Sequence, residues 1–116
     1  MVTYLTEYFK KQIKSLKKRY PNVIEDFIKT CDVFDQKKEI SIGKSIYKMR
    51  IPSRDQKRGK SGGFRSYLYL YRKNDMLVPI CIYAKSKQES LPEGELQYHL
   101  DHINEELLKS HFFKDI

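Results

Sequence analysis

Apolar side chains recur at Phe9, Ile13, Leu16 and Tyr20, one face of a helix at i, i+4, i+7 and i+11, while Lys10, Lys14, Lys17 and Lys18 fall largely outside that stripe. Thr6 stands where an N-cap belongs. Pro21 interrupts the pattern. Asn22, with Glu25 three residues later, then reads as an N-cap and an acid in the first turn of a second helix carrying Val23, Ile24, Phe27, Ile28 and Cys31. Two such helices joined by a tight turn form a hairpin whose apolar face needs a sheet to cover it.

The period then changes to two. Tyr47, Met49 and Ile51 alternate with Lys48 and Arg50, and Phe64, Ser66, Leu68 and Leu70 alternate with Arg65, Tyr67, Tyr69 and Tyr71. Met76 to Lys85 reads as a third strand in which Tyr83 and Lys85 point the same way, and Pro79 argues for an edge position or a bulge. Lys73, Asn74 and Asp75 supply the turn before it. Ser90 with Glu93 repeats the capping pattern ahead of Leu96, Leu100, Ile103 and Leu107, which predicts a closing helix. Val2 to Leu5 can add a short edge strand. Helices are thus segregated from strands, and the expected class is α+β: a small antiparallel β-sheet packed against an N-terminal helical hairpin, with a C-terminal helix.

The 116 residues leave room for one domain, 1–116, and the 40% hydrophobic content supplies a core rather than a disordered tail. The longest nearly apolar run, Met76 to Ala84, is far shorter than the roughly 18 residues of a membrane helix, and Met1 to Lys11 lacks the apolar segment of a signal peptide. A cytoplasmic protein with no membrane partner is the expectation. Cys31 and Cys81 have no local partner in spacing, so both are expected buried and inert.

Charge sharpens the picture. With 23 Lys and Arg against 15 Asp and Glu the formal charge is +8, which favours a polyanionic partner, nucleic acid first and an acidic protein second. The lysine-rich first helix reads as a solvated face. The segment Lys44 to Lys73 differs, because Lys44, Lys48, Arg50, Arg54, Lys57, Arg58, Lys60, Arg65, Arg72 and Lys73 meet a single acid, Asp55. Here cations alternate with apolar residues on strands, and tyrosines share a face with Arg65, so phosphate-binding charge stands beside rings able to stack bases. Arg54, Lys57, Arg58, Lys60 and Tyr67 are the candidate RNA-binding residues on this reading, the first four from the 12-residue connection between the first two long strands. A tyrosine-rich strand can equally line a core.

Other chemistries fit poorly. Gly59-Lys60-Ser61 resembles the end of a nucleotide-binding loop, but the glycine such a loop needs upstream is replaced by Arg54. Gly62-Gly63 suits a turn with positive φ or a close approach to phosphate. His99 and His102 sit three apart on the closing helix without a third ligand at diagnostic spacing, so no metal or other cofactor is expected. No nucleophile elbow is present for serine hydrolysis.

Three segments carry a resemblance. Tyr47-Lys48-Met49-Arg50-Ile51, Lys60-Ser61-Gly62-Gly63-Phe64-Arg65 and Ile82-Tyr83-Ala84-Lys85-Ser86 resemble, in order and spacing, the successive strand motifs of the RelE/ParE toxin superfamily, closest to HigB-like members. The likeness extends over nearly the whole chain. It implies a type II toxin that cleaves mRNA, often in the ribosomal A site, and that an antitoxin encoded beside it silences. By position, Lys48 and Arg50 match the basic strand residues, Arg65 the phosphate-contacting arginine and Lys85 the lysine that closes the site. The sequence departs from RelE at Ser86, where RelE has an arginine, and has no evident counterpart of its C-terminal catalytic tyrosine.

Metal-free RNA cleavage requires a deprotonated 2′-OH, a stabilised phosphorane and a protonated 5′-oxygen, all in line. Arg65 is the expected phosphorane clamp, because a guanidinium stays charged and can grip two oxygens. Lys48 and Arg50 would assist. Tyr83 and Lys85 are the acid and base candidates, their pKa values expected to be lowered by clustered cations. The competing readings are a ParE-like inhibitor of DNA gyrase that acts by binding, and an RNA-binding module without catalysis.

Overall fold

The structure, a computed structural model, describes residues 1–56 and 62–110. Strand β1 (Val2–Thr3) leads into helices α1 (Glu7–Lys17) and α2 (Val23–Asp32). Strands β2 (Ile40–Ser41), β3 (Ile46–Ile51), β4 (Phe64–Tyr71) and β5 (Met76–Ala84) follow, and helix α3 (Glu95–Lys109) closes the order. The sheet runs β1-β5-β4-β3-β2. Its four later strands pair antiparallel, but β1 lies parallel to β5, with Val2 opposite Met76, so the sheet is mixed rather than wholly antiparallel. The edge strand expected over Val2 to Leu5 is two residues long, and β2 has too little alternation to be visible in sequence.

Pro79 behaves as its missing N–H requires. The β4–β5 register slips between Tyr67, opposite Cys81, and Leu68, opposite Pro79, leaving Ile80 as the extra residue of a bulge. Beyond the two residues covered by β1, the outer edge of β5 is covered by a side chain instead. Gln12 of α1 accepts from the Ile82 N–H at 3.1 Å and donates to the Ile80 carbonyl at 3.4 Å. An amide side chain thus imitates a strand, which satisfies backbone groups that an open edge would leave free.

Alternation splits the apolar residues between the two faces of the sheet. On one face Met49, Ile51, Phe64 and Leu68 form a cluster with Phe9 and Ile13 of α1 and Val23 and Phe27 of α2. On the other, Tyr67, Val78, Ile80 and Tyr83 cluster with Ile103 of α3, and Leu96, Leu100 and Leu107 lie against them. Both cysteines are buried, and burial pushes each thiol up to about 12, so little reactive thiolate exists at neutral pH. No helix among the described residues is long and apolar enough to cross a membrane.

The helix starts only partly follow the capping patterns. Thr6 Oγ1 does accept from the Phe9 N–H at 3.1 Å. Asn22 occupies the N-cap position of α2, but its side chain makes no cap and turns to Asp55 Oδ1 at 2.8 Å. The Ser90–Glu93 box is not used either, because α3 begins at Glu95 behind Gly94, whose φ of +84° sets the entry. A cap that no local pattern announces joins the ends of the fold: Glu106 of α3 accepts from the Glu7 N–H at 2.7 Å and the Tyr8 N–H at 3.0 Å. Its carboxylate satisfies two first-turn donors and faces the positive end of the α1 dipole. Glu106→Ala should therefore lower stability by about 1 kcal/mol, a typical loss for a removed cap. Thermal melting checks this, and an unchanged midpoint would show that water replaces the carboxylate at no cost.

Candidate functional site

The strand register gathers the predicted residues. Arg50 on β3 lies opposite Arg65 on β4, and Arg65 lies opposite Tyr83 on β5, so the three form one row across the sheet. In the next row Lys48 pairs with Tyr67 and Tyr67 with Cys81. Because residues two apart on a strand share a face, Lys48 and Arg50, Arg65 and Tyr67 all project on the side away from Met49, Ile51, Phe64 and Leu68. Lys85 follows at the end of β5, where its N–H donates to the Gly63 carbonyl at 3.0 Å.

The cations of this face differ from Arg54 in how they are held. Arg54 is turned to α2: its Nε donates to Asp26 Oδ1 and its Nη2 to Glu25 Oε2, both at 2.7 Å, and its N–H donates to Asp26 Oδ2. Asp26 is buried, so Arg54 neutralises a carboxylate that the fold has taken out of water. By contrast, Lys48, Arg50 and Arg65 enter no ion pair among the described residues. The Lys48 Nζ lies 5.9 Å from the centre of the Tyr67 ring. Lys57, Arg58 and Lys60 lie outside the described residues.

Two tyrosines correct their expected roles. Tyr67 is 7% exposed and packs into the α3-side cluster, so its ring is a wall of the site rather than a platform for a base; Tyr69 and Tyr71, further along β4, are half-buried. Tyr83 is also buried, and its hydroxyl donates to the Glu89 carbonyl at 3.4 Å. Burial drives its pKa well above the ordinary 10, the Tyr67 phenol and a hydrogen bond with it add to the rise, and Arg65 opposes them without prevailing. Desolvation therefore outweighs the cations that were expected to lower it. The folded state favours the phenol, so stability is full below pH 10 and falls as pH rises through the folded pKa. In an ultraviolet titration Tyr83 should ionise after most other tyrosines, and Tyr83→Phe should remove the most alkaline step; loss of an early step instead would contradict this burial.

His99 and His102, set aside as a metal pair, are both engaged with Tyr8. The Tyr8 hydroxyl bonds His99 Nδ1, and the Tyr8 ring stacks on His102 at 4.7 Å with planes 5° apart.

Sequence reasoning missed Gln56. Its Oε1 accepts from the Gly63 N–H at 2.8 Å, while its Nε2 is buried without a hydrogen-bond partner. Arg65 Nε is buried and unpartnered in the same way. A buried donor left unpaired costs about 1–3 kcal/mol, so two at one end of β4 mark a place where the fold sustains a deficit. No motif announces this, since the only signal is a glutamine seven residues ahead of a glycine. The sequence matches no known family model and no curated protein.

Proposed function

We propose that this chain is an RNA-cleaving toxin of the RelE/HigB kind, which cuts mRNA without a metal, most effectively on the ribosome, and is silenced by an antitoxin encoded in the same operon. The proposal includes that family's fold, a sheet packed against an N-terminal helical hairpin, and a cytoplasmic site of action. The observation that carries it is the row Arg50, Arg65 and Tyr83 beside Lys48, with none of the three cations neutralised by an acid among the described residues. Uncompensated cations on a rigid strand surface form a preorganised receptor for phosphate.

On this reading Arg65, at the centre of the row, grips the scissile phosphate and stabilises the phosphorane, and Lys48 and Arg50 hold the flanking charge. Tyr83 keeps its proton, which removes it as a general base and leaves it as a hydrogen-bond donor that orients its neighbours. Lys85, on the Gly63 carbonyl at the rim of the site, is the remaining acid and base candidate. A site this poor in bases gains most from a substrate already held in line, which is what a ribosome provides for mRNA.

The test is induced expression followed by mapping of mRNA ends, and the same mapping on purified ribosomes programmed with message. Growth arrest with new 5′ ends inside coding regions is expected, relieved by the neighbouring small gene. Arrest without new ends, together with supercoiling defects, would favour the gyrase inhibitor. RNA binding without arrest or cleavage would leave an inactive binding module.

A further inference from the structure

Gln56 lies just before the basic segment 57–61, and its amide geometry is fixed by chemistry. The Gly63 N–H can only donate, so the amide atom 2.8 Å from it is the oxygen, and the two hydrogens of Nε2 must point away from that bond. The Gly63 carbonyl meanwhile receives the Lys85 N–H, so the two peptide groups flanking Gly63 tie the Gln56 side chain to the end of β5. Arg65 stands two residues after Gly63, near the start of β4, about 7 Å along the chain at the strand rise. Among the described residues, Gln56 Nε2 and Arg65 Nε are the buried side-chain polar atoms left without a partner. Both are donors. What would satisfy them is an acceptor, and beside an unneutralised guanidinium the favoured acceptor is an anionic oxygen.

We propose that Gln56 Nε2 and Arg65 Nε form a subsite for a phosphodiester oxygen of RNA at the Gly63 corner, Gln56 being held there by its bond to the Gly63 N–H. The inference rests on the RNA reading above and adds a residue to it. Gln56 contributes a neutral, directional donor where the surrounding cations contribute charge. Its expected effect is on how the phosphate is seated, beyond general attraction.

Gln56→Glu separates the two effects. It keeps an oxygen for the Gly63 N–H and removes the donor. Gln36→Glu is the control, adding the same charge at the far end of β4, where Gln36 Oε1 accepts from Arg72 at 2.8 Å. The probe is a short 2′-O-methyl RNA, which lacks the attacking hydroxyl and so reports binding alone, with affinity read by fluorescence anisotropy on the full chain. Gln56→Glu should weaken binding by roughly tenfold or more, the loss of one charge-assisted bond, while Gln36→Glu changes it by less than about twofold. If Gln56→Glu binds like wild type while Arg65→Ala does not, the subsite is overturned and the RNA surface stands. If wild type does not bind the probe at all, both are overturned. Should Gln56→Glu fail to fold, titration of the wild-type protein with inorganic phosphate decides the matter by NMR: the Gln56 side-chain amide and Arg65 Nε–H signals shift together, or the subsite is rejected.

Discussion

Arg65→Ala should reduce RNA cleavage by about 10²–10³, the loss of one preorganised charged donor at a developing oxyanion, equivalent to about 2.7–4 kcal/mol of transition-state stabilisation. The fold should tolerate it. Arg65 Nε makes no hydrogen bond and the guanidinium enters no ion pair among the described residues, so removing it breaks no ion pair there and relieves one unpaired donor. The packing of its half-buried stem is lost as well, about 1 kcal/mol. Initial rates on ribosome-bound message, paired with thermal melting, give the answer. Full activity in the variant would move the phosphate clamp elsewhere on the sheet; unfolding would make Arg65 structural. Arg54→Ala is the informative contrast, because that arginine neutralises Asp26 and its loss should be felt in melting before it is felt in cleavage.

Gly63→Ala should be the most damaging of the alanine substitutions at Gly43, Gly63 and Gly94, with an expected loss of at least about 2 kcal/mol. Gly63 has φ +92°, a conformation that L-residues enter only with strain, and a Cβ there would stand 2.5 Å from the Ile51 carbonyl oxygen. The obstacle is backbone, paired with Phe64 in the β3–β4 ladder, so it cannot swing aside as the end of a flexible side chain would. Gly94 supplies the internal comparison. Its φ is +84°, yet nothing lies within 4 Å of an added Cβ, and the change should cost only the local strain of about 1–2 kcal/mol. Urea midpoints of the two variants should differ in that order; equal losses would show that φ alone, not the crowding against Ile51, governs the corner. Because Gly63 carries both the Gln56 and the Lys85 bonds, its variant should also lose RNA affinity out of proportion to its remaining folded fraction.

The periodic parts of this fold were legible and the tied parts were not. Phe9 and Ile13 at helical spacing, and the alternation through Tyr47 to Ile51 and Phe64 to Tyr71, place α1, β3 and β4 within a few residues, because a buried face must repeat with the period of its element. An irregularity at Pro79 was equally readable, as an edge position or a bulge, since a residue without an N–H cannot hold a regular ladder position; the register slip decides for the bulge. The caps at Asn22 and Ser90 misled. Each is a local pattern that a tertiary contact overrode, Asn22 by turning to Asp55 and Ser90 by lying ahead of the true start of α3. For the site, alternation set Lys48 beside Arg50, Arg65 among the β4 tyrosines and Tyr83 with Lys85, strand by strand; that the three strands turn these residues to one face follows from the register alone. Alternation could not foresee that Tyr67 and Tyr83 are buried there, because which strand face α3 covers depends on a helix twelve or more residues downstream. Tyr83's acidity was misjudged for that reason: charge was visible in the sequence and desolvation was not. Arg54 and Gln56, neighbours but one in the chain, have unrelated partners that only the folded loop selects.

The carboxylate of Glu106 has a consequence for the order in which the nascent chain can assemble. An 11-residue helix is marginal by itself, and two of the α1 first-turn donors find their acceptor only 98 and 99 residues later. At about 5–20 residues per second, roughly 5–20 s of elongation separate the synthesis of the donors from that of the acceptor. The β3–β4 and β4–β5 hairpins are short-range and can form during that interval, whereas closure of α3 onto α1 spans 98 and 99 residues, carries a large loop entropy and belongs to the end of folding. A polypeptide interrupted between residues 84 and 106 therefore has its basic strands but lacks the Glu106 contact that fixes its first helix to its last.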